Sequence, residues 1–133
     1  MIVAVADTHA VVWYLFNNPR LSTRARRIIE DARKNGDQIG VSSISLAEIV
    51  YLVEKGRIPH NTVSELLFAL SDAEHPLQEI PFDNSVAVTM QDIRREDIPD
   101  MPDRIIAATG LRDGLPVISR DGKIKASPIE TIW

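Results

Sequence analysis

Four acidic residues lie far apart along the chain, but each occupies a related position in a predicted alternation of strands and helices. Asp7 ends the unbroken apolar run Ile2–Ala6, and Asp121 follows the fourth such segment. Glu48 lies in the predicted first turn of the helix after the second, and Asp103 begins the helix before the fourth. Because parallel strands end at one edge of a sheet, Asp7, Glu48 and Asp121 are expected there. Asp103 joins them only if its helix begins near the same crevice.

Carboxylates gathered in one crevice repel one another, which raises their pKa values unless a cation is present. Oxygen-only ligands favour Mg²⁺ or Mn²⁺ over zinc. The chain has no cysteine, and His9, His60 and His75 show no zinc-ligand spacing. We interpret His9 as a packing residue. A carboxylate-bound metal suits phosphoryl chemistry, because it activates water and stabilises the leaving oxygen.

Each acid also has a purely structural explanation. Asp7 can cap the following helix, and Ser45 with Glu48 matches a capping box. Asp103 can compensate a helix dipole, and Asp121 with the glycine after it is an ordinary turn pair. The functional interpretation therefore depends on the convergence of all four.

The elements that must position these residues alternate along the chain. Strands are predicted at 2–6, 38–42, 77–82, 116–119 and 129–133, and helices at 9–16, 22–35, 46–55, 61–73, 84–93 and 103–112. Such alternation implies parallel crossovers and a three-layer α/β/α domain. Two helices separate the second and third strands. At 133 residues the chain fits a single domain, residues 1–133.

Composition limits the class of protein. A net charge of −4 argues against a protein that coats nucleic acid by bulk electrostatics, but not against an enzyme that acts on it. The absence of cysteine is typical of a reducing compartment. No apolar stretch approaches the roughly 20 residues of a membrane span. These features together predict a cytoplasmic soluble protein.

Four segments resemble the motifs of the PIN domains, and most closely the toxins of bacterial VapBC-type toxin–antitoxin pairs. The segments with their matching acids are Val5-Ala6-Asp7-Thr8-His9-Ala10, Ser42-Ser43-Ile44-Ser45-Leu46-Ala47-Glu48-Ile49, Met101-Pro102-Asp103-Arg104-Ile105-Ile106-Ala107-Ala108-Thr109 and Val117-Ile118-Ser119-Arg120-Asp121. The resemblance covers essentially the whole chain. Ser119 replaces a threonine that is common in the family, and both residues provide a hydroxyl.

The resemblance implies a parallel sheet of order 3-2-1-4-5 with the first strand central. It also implies a Mg²⁺- or Mn²⁺-dependent endoribonuclease that an antitoxin inhibits, and pairing into homodimers. By analogy Asp7, Glu48, Asp103 and Asp121 are the catalytic and metal-binding residues. Asp7 and Asp103 would bind the metal most directly, and the other two acids would help to position water.

Several further residues are candidates for supporting roles. Thr8 and Ser119 could orient ligands by hydrogen bonding, and Asp100 is a weaker candidate because it can also cap a helix. Arg104 and Arg120 are nearest the acids in sequence and could bind RNA phosphate, or be surface charges.

The first predicted helix is apolar nearly all round, so part of it must contact another element or another protein. Trp13, Tyr14, Tyr51, Leu52 and Phe68 are candidates for a groove that takes an antitoxin helix. The alternative is that these residues belong to the ordinary core.

Two other functions remain open. A phosphoacceptor signalling domain could use Asp7, Asp83 and Lys123, although such domains place a pair of acids after the first strand. A non-catalytic α/β binding module would use all four acids as caps, and would have no affinity for divalent ions.

Overall fold

A five-stranded parallel sheet forms the centre of the computed structural model, which describes residues 1–133. Its strands are β1 (Ile2–Ala6), β2 (Gln38–Ser42), β3 (Leu77–Ile80), β4 (Val117–Ile118) and β5 (Thr131–Ile132). The order is β3-β2-β1-β4-β5, and every neighbouring pair is parallel. The predicted fold class, sheet order and central first strand are therefore confirmed.

Seven α-helices connect the strands and cover both faces of the sheet. They are α1 (Thr8–Leu15), α2 (Thr23–Lys34), α3 (Ser43–Glu54), α4 (Thr62–Ser71), α5 (Asn84–Thr89), α6 (Met101–Asp113) and α7 (Gly122–Ala126). A 3₁₀ turn, Met90–Asp92, follows α5. None of these helices is long and apolar enough to cross a bilayer. Two helices do separate β2 from β3, whereas α7 was not predicted because five residues are too few to show helical periodicity.

The central strand β1 separates two apolar cores. Ala4 and Ala6 belong to the core that contains residues of α1 and α2, whereas Val5 belongs to the core that contains residues of α5 and α6. Successive side chains of a strand point to opposite faces, so a strand between two helical layers must be apolar at every position. This requirement explains the unbroken apolar run before Asp7.

Helix α3 begins three residues earlier than predicted. Its N-cap is Ser42, whose Oγ accepts a hydrogen bond from the Ile44 amide at 3.2 Å. Ser45 therefore lies within the helix and is buried, and Glu48 lies in the second helical turn. The predicted capping box between Ser45 and Glu48 is wrong, because the true cap is at the last residue of β2.

The sheet edge that carries the acids is formed by the carboxyl ends of β1, β2 and β4. Ala6 pairs with Val41 on one side and Ile118 on the other. The Asp7 amide continues the pairing by donating to the Ile118 carbonyl at 3.0 Å. Helix α6 leads into β4 and must run back across the sheet, so its N-terminus and Asp103 lie at the same edge.

Candidate active site

A cleft of about 380 Å³ opens at this edge of the sheet. All four acids that the sequence singled out line it, together with a fifth carboxylate. The lining residues are Asp7, Thr8, His9, Trp13, Glu48, Asp100, Asp103, Arg120 and Asp121. Side chains that are up to 114 positions apart in the chain, Asp7 and Asp121, thus share one acidic cleft.

Asp7 is both a helix cap and a wall of the cleft. Its Oδ1 accepts a hydrogen bond from the Ala10 amide at 2.9 Å, which closes the N-terminus of α1. Burial raises the pKa of Asp7 above its usual range, although the nearby Ser119 hydroxyl and the Ala10 amide act in the opposite direction. The structural and the functional interpretation of Asp7 are therefore compatible.

Glu48 is held in place by a chain of hydroxyl groups. Thr8 Oγ1 donates to Glu48 Oε1, and Ser45 Oγ lies 2.9 Å from Thr8 Oγ1. A threonine hydroxyl has one proton, so Ser45 must be the donor to Thr8 when Thr8 donates to Glu48. Burial raises the pKa of Glu48, and the Thr8 hydrogen bond offsets part of that effect. Thr8 thus links the start of α1 to the acid on α3.

Asp103 has no such support, because its carboxylate makes no hydrogen bond or ion pair. The preceding cap of α6, Asp100, instead accepts a hydrogen bond from the Asp103 amide at 3.1 Å. Burial first, and then repulsion from Asp100, Asp121, Glu48 and Asp7, raises the pKa of Asp103 to about 7. The hydrogen-bond donors and cations of the cleft therefore do not fully compensate the negative charge of its carboxylates.

Asp121 caps the short helix α7 and also lines the cleft. Its Oδ1 accepts hydrogen bonds from the amides of Lys123 and Ile124 at 2.8 and 3.2 Å. The Asp121 amide donates to Oγ of the fully buried Ser119 at 3.0 Å. Ser119 therefore fixes the turn that carries Asp121, while it also lies beside Asp7.

The cleft also has a cationic and aromatic side. The Arg120 guanidinium lies over the Trp13 ring, with Cζ 4.6 Å from the ring centroid. The His9 ring is tilted against the same indole at 5.6 Å between centroids. His9 is exposed, so it packs against the indole at the surface of the cleft and not within the core. Its position directly after Asp7-Thr8 was the sequence signal that could have placed it at the cleft.

Arg104 does not reach the cleft, although it follows Asp103 in sequence. Its guanidinium donates to the backbone carbonyls of Met90 and Ile93, both at 2.8 Å. These contacts hold the segment between α5 and α6 against the helix. The predicted role of Arg104 in phosphate binding is therefore not supported by its placement. Successive residues of an α-helix point in directions about 100° apart, so Arg104 does not face the cleft with Asp103.

Only some of the five residues predicted to form an antitoxin groove lie on a common surface. Trp13 is just 7% exposed and packs edge-on against Trp133, so it belongs to the core and the floor of the acidic cleft. Tyr14 and Phe68 do line a second, separate cleft, and Phe68 is 73% exposed. Tyr51 is exposed on α3, and Leu52 is half-buried beside it.

The donor set fits a hard divalent cation, although the ligands are not preorganised. No three acidic or histidine side chains surround a common point closely enough to hold a metal ion in this conformation. The cleft offers carboxylate oxygens from five residues, and burial together with their mutual repulsion raises the pKa of Asp103. Oxygen donors with excess negative charge are what Mg²⁺ and Mn²⁺ require. Such a site can also place a phosphate next to the bound ion.

Known proteins resemble this chain in fold or in overall sequence. A VapBC2 complex from Rickettsia felis bound to promoter DNA superposes with a TM-score of 0.72 at 23% identity, covering 98% of this chain and 97% of that one. A toxin–antitoxin complex from Klebsiella pneumoniae gives 0.67 at 24% identity, with 94% and 92% coverage. Ribonuclease VapC22 of Mycobacterium tuberculosis is 28% identical over the full length of both chains. The sequence profile of the PIN domain matches residues 4–128. This match spans nearly the whole chain, which therefore belongs to the PIN-domain family.

Proposed function

We propose that this chain is the toxin of a toxin–antitoxin pair and acts as a Mg²⁺- or Mn²⁺-dependent endoribonuclease. The observation that carries the proposal is the convergence of Asp7, Glu48, Asp103 and Asp121 on one cleft. The similarity to a protein named as a ribonuclease, and to chains solved in toxin–antitoxin complexes, supports the same conclusion.

The hydrogen bonds of the cleft leave free carboxylate oxygens on Glu48, Asp121 and Asp103. Asp7 and Asp121 each use Oδ1 to accept backbone amides, and Glu48 uses Oε1 to accept the Thr8 hydroxyl. Oε2 of Glu48 and Oδ2 of Asp121 therefore remain for ligands, whereas Asp7 also has the Ser119 hydroxyl as a hydrogen-bond partner. Both oxygens of Asp103 are free.

This division suggests a role for each acid. Asp7 and Asp103 would hold the metal. The Asp7 side chain is held by its cap hydrogen bond. The cation would stabilise the charge of Asp103 most, because that carboxylate has no other partner. When bound, the cation supplies Lewis-acid stabilisation of the phosphate and lowers the pKa of a coordinated water. Glu48 Oε2 and Asp121 Oδ2 would orient a water molecule in the cleft by accepting its hydrogen bonds.

The antitoxin would occupy the second cleft rather than the acidic one. That cleft of about 310 Å³ combines Tyr14, Leu15 and Phe68 with the charged Arg26 and Glu30. An exposed phenylalanine beside charged groups suits an amphipathic segment, which buries its apolar face and pairs its polar rim. Trp13 is excluded from this surface.

A homodimer stays a prediction that light scattering of the purified chain can test.

The phosphoacceptor hypothesis is not favoured by the geometry. Asp83 lies outside the acidic cleft, where it caps α5 and pairs with Arg112 at 3.2 Å. Lys123 also does not line the cleft. The three residues that this hypothesis requires are therefore not assembled into one site.

The test is cleavage of single-stranded RNA by the purified chain, with Mg²⁺ or with EDTA. We expect cleavage only with the metal, and a loss of at least about 100-fold in Asp7→Asn, because general acid–base and ligand roles of this kind contribute 10²–10⁴-fold. Asparagine retains the cap acceptor for the Ala10 amide, so the fold should survive. Asp83→Asn, a cap outside the cleft, is the matched control. Metal-independent cleavage, or full activity in Asp7→Asn, would refute the proposal.

A further inference from the structure

Arg120 is an arginine without an acidic partner in a cleft that contains five carboxylates. None of the ion pairs in the structure includes Arg120, and its side chain makes no hydrogen bond. Its guanidinium instead lies 4.6 Å above the Trp13 ring centroid. Arg120 therefore contacts an indole and pairs with none of the acids, although exposed arginine side chains can readily pair with carboxylates.

Trp13 is a rigid platform for that guanidinium. The indole is almost fully buried, and Trp133 packs edge-on against it with 5.9 Å between ring centroids. A guanidinium held through its face keeps its N–H donors at the edges of the plane. These donors are preorganised for an acceptor with two oxygens, such as a phosphate.

We infer that Arg120, stacked on Trp13, binds a phosphate group of the single-stranded RNA substrate and so positions the strand beside the acids. The inference rests on the proposed ribonuclease function. The acidic side of the cleft would take the cation, and the Arg120 side would take the polyanion. Trp13 is covered by Arg120 and 7% exposed, so its face is not open for stacking by a base.

The test separates binding from cleavage. A labelled single-stranded RNA oligonucleotide is titrated with the uncleaving Asp103→Asn protein and with Asp103→Asn/Arg120→Gln, over a series of salt concentrations. Each phosphate contact to single-stranded nucleic acid contributes about 0.7 to the slope of log K against log salt concentration. We expect Arg120→Gln to weaken binding about tenfold and to lower that slope by about 0.7. Arg57→Gln, an exposed arginine beyond α3 and outside the cleft, should leave both unchanged.

Cleavage assays complete the test. With Asp103 intact, we expect Arg120→Gln to lower kcat/KM about tenfold or more. Arg120→Lys should keep the salt dependence of binding, because it retains the charge. It should not keep the full cleavage rate, because lysine lacks the planar guanidinium group. An unchanged salt slope and affinity in Arg120→Gln would overturn the inference, and a lower Tm alone would assign Arg120 a structural role only. If the unmodified chain cleaves no RNA, the proposed function fails, whatever Arg120 does.

Discussion

Replacement of Asp103 by asparagine should stabilise the apo protein and abolish its activity. The Asp103 carboxylate has no hydrogen-bond partner, while burial and four neighbouring acids raise its pKa from 3.8 to about 7. At 1.36 kcal/mol per pKa unit this difference corresponds to at most about 4 kcal/mol. Because the side chain is only half-buried, water and salt screen the repulsion, and we expect a gain of about 1–2 kcal/mol.

The pH dependence of this gain follows from proton linkage. Below about pH 4 Asp103 is protonated in both the folded and the unfolded chain, so the asparagine variant should match the original protein. Between about pH 4 and pH 7 the folded state binds the Asp103 proton more tightly, so the contribution of Asp103 to the stability of the original protein falls as the pH rises. Above pH 7 Asp103 is ionised in the folded protein, and the destabilisation by its charge is complete. The difference in unfolding free energy between Asp103→Asn and the original protein should then reach its plateau.

Urea denaturation at pH 4 and pH 8 in EDTA measures this effect, with intrinsic fluorescence of Trp13 and Trp133 as the probe. Asp31→Asn, an exposed acid on α2 outside the cleft, is the control and should change stability by less than about 0.5 kcal/mol. Added Mg²⁺ should stabilise the original protein more than Asp103→Asn, because a ligand of the folded state adds its binding free energy. A variant that is less stable at pH 8, or equally stabilised at pH 4, would refute the electrostatic argument.

Three further predictions concern the scaffold. Gly110→Ala should destabilise the fold by about 1–3 kcal/mol in urea titrations despite the better helix propensity of alanine, because the new Cβ would lie 2.9 Å from the Leu115 carbonyl oxygen; an unchanged midpoint would contradict this. Arg104→Met should cost about 1–3 kcal/mol by thermal unfolding, because two loop carbonyls lose their donor; full stability would show that water replaces it. In a Tyr51→Phe background the remaining phenol, Tyr14, should ionise at about pH 12 in an ultraviolet titration, because burial and its hydrogen bond to a glutamate raise its pKa; ionisation at pH 10 would refute that environment.

The sequence by itself predicted all five strands and six of the seven α-helices, and missed only the short helix α7. Local sequence signals were sufficient to predict features that depend only on neighbouring residues. These features are the apolar run that becomes β1, the cap Ser22 of α2, and the turn residues between elements. The alternation of strands and helices was enough to predict the parallel three-layer fold. Local signals failed at α3, where Ser42 and Ser45 are both plausible caps and only the end of β2 decides between them.

Only the tertiary structure decided which residues meet. Asp7 and Asp121 follow paired strands, so their proximity could be predicted from topology, but Asp103 depended on the return path of α6 across the sheet. The partners of the two arginines could not be read from sequence either: Arg104 binds loop carbonyls, and Arg120 stacks on Trp13. A side chain's surroundings are set by contacts between segments distant in sequence, and local propensity carries no information about them.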